Sequence, residues 1–91
     1  MYQSNKYNEL LNVSSKKIKE LREKNNLSLS ALSIKLALLG IDIPKQSLHK
    51  IENGKRVVKD FELYGISHIL KVPMEDLIED FVSQINKDEI V

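Results

Sequence analysis

The chain predicts an all-α fold, and three observations carry that expectation. Apolar residues recur at helical spacing along most of its 91 residues. No segment of strand length combines strict alternation with β-branched or aromatic enrichment. Residues that start helices (Ser, Pro, Asp) and residues that stop them (Asn, Gly) bracket the apolar runs at helix-sized intervals.

The first helix is expected from about Ser14 to Asn25, with Ser14 or Ser15 as its cap, Ile18 and Leu21 on the inner face, and Asn25 and Asn26 ending it. The second begins at Ser28, carries Leu29, Leu32, Leu36 and Leu39 along one side, and stops at Gly40. Pro44 has a fixed φ and no N–H to satisfy, which suits the first turn of a third helix running to Glu52. Asp60 is placed to cap a fourth, in which Leu63, Ile66, Ser67 and Leu70 recur at core spacing and Phe61 and Tyr64 flank them. Gly65 inside that helix costs about 1 kcal/mol relative to Ala, so close packing is the expected reason for it. Pro73 opens a fifth helix with Met74, Leu77, Ile78 and Phe81 as its apolar positions and Glu75 and Asp76 in the first turn. Residues 83–91 read as a polar tail that frays or pairs with a partner. The chain thus divides into an extension over residues 1–12, one domain over 13–82, and the tail over 83–91.

The length and an apolar content of 42% without Trp fit a single small domain with an aliphatic core. The absence of cysteine excludes disulfides, thiolate zinc sites and cysteine nucleophiles, and favours the cell interior. The longest apolar run, Leu36 to Leu39, falls far short of the ~20 residues that span a bilayer. The first twelve residues also lack the apolar stretch of a secretory signal, so a cytoplasmic location with no membrane partner is expected. The formal net charge of +1 conceals an asymmetry. Residues 1–59 hold twelve Lys or Arg against five Asp or Glu, and residues 60–91 hold two against eight. Such a split gives a nearly neutral protein one strongly cationic face.

The stretch PKQSLHKIENGKR, Pro44 to Arg56, concentrates that charge on a helix with two distinct sides. Leu48 and Ile51, three apart, turn to a core, while Lys45, Gln46, His49 and Lys50 project outward. Asn53 and Gly54 tolerate the left-handed backbone that closes a helix, and Lys55 and Arg56 follow at once. Lys, Arg, Asn and backbone N–H groups are the usual holders of phosphate oxygens, so residues 53–56 form a candidate backbone clamp beside the helix. Lys bonds guanine O6 and N7, and Gln bonds adenine N6 and N7 in bidentate fashion, so the outward residues suit reading of base edges.

Other chemistries find no support in the sequence. His49 and His68 stand without a carboxylate cluster, so no metal site is expected. The glycines are isolated at 40, 54 and 65, which rules out a Gly-rich phosphate loop, and no Ser or Thr has an activating partner. Asp76, Glu79 and Asp80 read as solvent-facing charges. No cofactor and no enzymatic activity are expected.

Three pieces in this order, IKELREKNNLS at Ile18 to Ser28, SLHKIENGKR at Ser47 to Arg56 and ILKVPMEDLI at Ile69 to Ile78, resemble the Cro and phage-repressor type of helix-turn-helix regulator, the XRE family. The resemblance covers roughly Val13 to Phe81 and implies a five-helix, lambda-repressor-like DNA-binding domain in a bacterial cytoplasm or nucleoid. It implies that the second helix lies across the DNA backbone and that Pro44 to Glu52 enters the major groove. Base contacts then fall to Lys45, Gln46, His49 and Lys50, and phosphate contacts to Ser28, Ser30, Ser47, Asn53, Lys55 and Arg56. The family's pairing of a first-helix arginine with the glutamate before the Asn-Gly stop becomes Arg22 with Glu52, an architectural pair.

The chain departs from the family pattern at two places. LALLGIDI makes the turn before Pro44 about five residues longer than usual, which lengthens the second helix and widens the turn. Leu29 stands where a phosphate-binding glutamine is usual, and Ser33 replaces the usual alanine. The expected function is a sequence-specific repressor or regulator of double-stranded DNA, acting as a homodimer through Met74, Ile78, Phe81, Val82 and Ile85. The alternative is an antitoxin-like or antagonist module acting through a regulatory protein partner.

Overall fold

The computed structural model describes residues 10–89, and every regular element in that range is helical. Helices α1 (Ser15–Lys24), α2 (Leu29–Leu38), α3 (Lys45–Glu52) and α4 (Asp60–Leu70) are followed by a 3-10 turn (Met74–Ile78) and α5 (Glu79–Glu89). The expected extension over residues 1–12 lies mostly outside the described residues, as do residues 90 and 91 of the tail.

The first four helices stop by one device. In each, a residue just past the end takes a left-handed conformation: Asn26, Gly40, Gly54 and Lys71. The next N–H then bonds back to a carbonyl five residues earlier: Leu27 to Arg22, Ile41 to Leu36, Lys55 to Lys50 and Val72 to Ser67. These closures satisfy carbonyls that a helix end leaves without partners. They also redirect the chain sharply enough for four short helices to surround one core.

That core is built from pairs of side chains one helical turn apart: Ile18 and Leu21 on α1, Leu32 and Leu36 on α2, Leu48 and Ile51 on α3, Ile66 and Leu70 on α4. Ile43 from the turn and Leu77 from the 3-10 segment complete it. Each such burial contributes about 1.5–3 kcal/mol relative to an exposed side chain. α2 packs against both α3 and α4, and α1 against α3, so α3 is gripped from two sides.

The structure corrects four local expectations. Leu39 is exposed, because α2 ends before it and Ile41 turns in against the core in its stead. Asp60 is not the cap of α4. The cap position is Lys59, whose N–H donates to Glu62 Oε1 at 3.0 Å, a carboxylate three residues on reaching back to the free helix end. Pro73 opens a 3-10 turn rather than an α-helix, with the Asp76 N–H bonded to the Pro73 carbonyl at 3.0 Å. The α-helix begins at Glu79 and continues to Glu89, so residues 83–89 are helical, with Val82 and Ile85 at helical spacing.

Candidate nucleic-acid interface

On α3, Lys45, Gln46, His49 and Lys50 are all exposed, while Leu48, Ile51 and Glu52 are buried. At 100° per residue the four exposed side chains occupy a single stripe on the side away from the core. Among the described residues, the side chains of Lys45, Gln46 and Lys50 make no hydrogen bond or ion pair within the protein, so their donors face solvent. His49 differs, since the Asn53 amide nitrogen lies 3.3 Å from its Nε2. Ser47 is half-buried at the start of the helix.

Three sets of contacts fix this stripe in space. Arg22 Nε and Nη2 donate to Glu52 Oε2 and Oε1 at 2.6 and 3.1 Å, and Nη1 donates to the Leu27 carbonyl at 2.7 Å. One guanidinium therefore joins α1, the α1–α2 loop and the end of α3. The Glu52 hydrogen bond raises the Arg22 pKa above its ordinary value. With all three nitrogens engaged and little of the side chain exposed, Arg22 is committed to holding these three segments together.

The second set lies just before α1 and has no counterpart in the sequence expectations. Asn12 Nδ2 donates to the carbonyls of Ile51 and Arg56 at 3.0 and 2.9 Å, while its Oδ1 accepts from the N–H and hydroxyl of Ser14. The Leu11 N–H donates to the Gly54 carbonyl at 2.9 Å. Leu10 packs so close to Gly54 that a Cβ there would stand 2.6 Å from Leu10 Cδ2, and Gly54 has φ +72°. The positive φ is what calls for glycine here, and a Cβ would in addition push aside the exposed end of Leu10. The only sequence signal was an Asn two residues before a helix-capping Ser, a common local turn.

The third set holds the loop after α3. Arg56, expected at a phosphate beside Lys55, sends Nη1 and Nη2 to Glu62 Oε1 and Oε2 at 3.0 and 3.1 Å, and Nη1 also to the Val57 carbonyl. Glu62 is buried, and the Arg56 hydrogen bond, followed by the Lys59 N–H, holds its carboxyl below the usual range. Lys55 is exposed in this loop, as are Asn53 before it and Lys59 at its end. The signal for Glu62 was its place three residues after Lys59 in the first turn of a helix.

At the N-terminus of α2, Ser28 Oγ accepts from the Ala31 N–H at 3.0 Å, and Ser30 is exposed. Leu29 packs against the core, which explains an apolar residue at this place. The long turn is tied down at both ends of residues 39–44. Ser33 Oγ donates to the Ile43 carbonyl at 2.7 Å, a bond that alanine could not make, and Ile41 fits against Gly65 of α4.

A second helix packed on a third through a structured turn, with an unpaired cationic stripe on the third, defines the helix-turn-helix class of DNA-binding domain. The comparison with known families agrees, since the family described as helix-turn-helix matches residues 18–77. That is well over half the chain, and the protein belongs to this Cro/C1-type, or XRE, family of DNA-binding regulators. No curated protein and no solved structure matches the chain. No described helix is long and apolar enough to cross a membrane.

Proposed function

We propose that the protein is a sequence-specific repressor that inserts α3 into the major groove of an operator and acts as a homodimer in the bacterial cytoplasm. The observation that carries this reading is the α3 stripe itself, in which the side chains of Lys45, Gln46 and Lys50 have no partner among the described residues although three sets of contacts hold the helix beneath them and its loop. Lys45 and Gln46, nearest the N-terminus of α3, read base edges first, with Lys50 and His49 one turn on. Lys55, Asn53, Ser47 and the α2 N-terminus at Ser28 and Ser30 hold phosphates, and Arg56 acts indirectly by fixing the loop that carries Lys55. Two half-sites read by two copies multiply both affinity and specificity.

A mobility-shift assay on the region upstream of the protein's own gene tests this. The expected result is a shift that weakens steeply as salt rises, because phosphate contacts release counterions. No shift at low salt would refute it and favour the second reading, a module acting mainly through a protein partner. That alternative draws on Ile34, Leu38 and Leu39, which α2 leaves exposed.

A further inference from the structure

The closure of α4 differs from the other three in the residue it uses. Asn26, Gly40 and Gly54 are of types that take the left-handed conformation readily, but α4 closes on Lys71, with φ 62° and ψ 41°. A lysine here keeps a long cationic side chain where glycine would sit without steric penalty, and a residue held in such a conformation points to a use for its side chain. Lys71 is exposed and lines a shallow groove of about 320 Å³ between the end of α2 and the end of α4. Leu38, Leu39, Ile69, Lys35 and His68 line the rest of it.

The groove is apolar and stays open. Leu38 is 82% exposed, the highest of any large apolar side chain described, and Leu39 beside it is 47% exposed. The turn that follows them is held by the Ser33–Ile43 hydrogen bond and by Ile41 against Gly65, so their exposure is built into the fold. The same surface continues along α4. His68 stacks on the exposed Tyr64 with ring centroids 6.2 Å apart, and the exposed Phe61 lies one turn before Tyr64. The groove is also basic, since Lys35, His68 and Lys71 line it and no carboxylate does. Neither lysine has an ion-pair partner among the described residues.

These features select one kind of occupant. A second copy presenting the same groove would bring lysines against lysines. DNA phosphates need hydrogen-bond donors, which the leucines do not have. A bilayer surface is flat, whereas a groove takes a ridge of side chains. An amphipathic helix with apolar residues at i, i+3, i+4 and i+7 and carboxylates beside them matches both the leucines and the lysines. We propose that this groove docks an acidic amphipathic helix of a protein partner. The site is separate from α3 and does not depend on α3 reading an operator.

The test uses the full chain without DNA and two synthetic helical peptides with leucines at i, i+3, i+4 and i+7. One has glutamates beside the leucines and the other has lysines at the same places. In amide NMR spectra the glutamate peptide shifts Leu38, Leu39, Tyr64 and residues 68–71, and the lysine peptide leaves them unmoved. Leu38→Asp, at a solvent-exposed position and with a spectrum that otherwise overlays on wild type, weakens the glutamate peptide at least about tenfold. Lys35→Glu/Lys71→Glu weakens it as much and gains affinity for the lysine peptide, a gain that also shows this variant to be folded. Lys71→Gly weakens binding while raising Tm, because glycine accepts the left-handed backbone without penalty; a lysine kept for stability alone would not separate the two readouts. The proposal is overturned if the glutamate peptide does not bind, shifts α3 in place of the groove, or binds Leu38→Asp as tightly as wild type. Equal affinity for the two peptides, or binding to anionic phospholipid vesicles with none to the glutamate peptide, would overturn it as well.

Discussion

Replacing Gly65 with Ala tests whether the long turn and α4 are locked together. A Cβ at this position would fall inside van der Waals contact of Ile41 Cδ1 and 3.2 Å from Leu36 Cδ2. Two effects oppose each other. Helix propensity favours Ala by about 1 kcal/mol, whereas one extra carbon in a packed interior costs about 1–3 kcal/mol. Gly65 is buried and the turn is tied at Ile43, so overpacking wins, with a net loss of about 1 kcal/mol. In a domain of this size that lowers Tm by about 4–8 °C. Ile41→Val deletes the obstructing Cδ1 and costs about 0.5–1.5 kcal/mol alone. In that background Gly65→Ala is neutral or stabilising, so the two substitutions couple by about 1 kcal/mol. Urea denaturation of the four proteins measures the cycle. Additivity to within about 0.3–0.5 kcal/mol would mean that Gly65 does not accommodate the turn, and the packing argument would fall.

Three further outcomes follow from the interface. Lys45→Ala or Gln46→Ala costs about 1–3 kcal/mol of binding and relaxes preference at particular base pairs, whereas Lys55→Ala weakens specific and random DNA together and lowers the salt slope by about 1; equal losses on both kinds of DNA for all three would refute the division of roles. Asn12→Ala removes the donor to the Arg56 carbonyl and leaves the Ile51 carbonyl with the Gly54 N–H alone, so Tm falls by the equivalent of about 1–2 kcal/mol and the Lys55 amide, bonded to Lys50, exchanges faster with solvent; unchanged exchange would show that the clamp does not hold the loop. Glu62 contributes stability that is complete above the unfolded carboxylate pKa of about 4.3 and disappears as pH falls through its depressed folded value. Thermal melts of Glu62→Gln are therefore less stable at pH 7 and change less between pH 7 and pH 3 than wild type, and parallel curves would contradict this.

The order of helices was legible because each side chain's fate there depends on neighbours three or four positions away. Leu48 and Ile51 point inward and Lys45 and Lys50 outward by periodicity alone, and the Ser28, Asn26, Gly40 and Gly54 boundaries are local chemistry. What could not be read depends on which distant segments meet. Arg56 and Lys55 are indistinguishable as adjacent cations until Glu62 comes within 3.0 Å of one of them. Asn12 looked like part of an extension because nothing nearby in sequence marks the carbonyls of residues 51 and 56 as its partners. Leu39 and the 3-10 turn show a third limit: a helical repeat continues in the sequence after the backbone has turned away.

The central claim is that α3 reads base edges in the major groove. Its most direct test is methylation interference on a duplex selected from random sequence by the protein. Methyl groups on guanine N7, which lies in the major groove, are predicted to block binding at discrete positions in two half-sites about one helical turn apart. Interference confined to adenine N3 in the minor groove, or none at any base, would contradict the account.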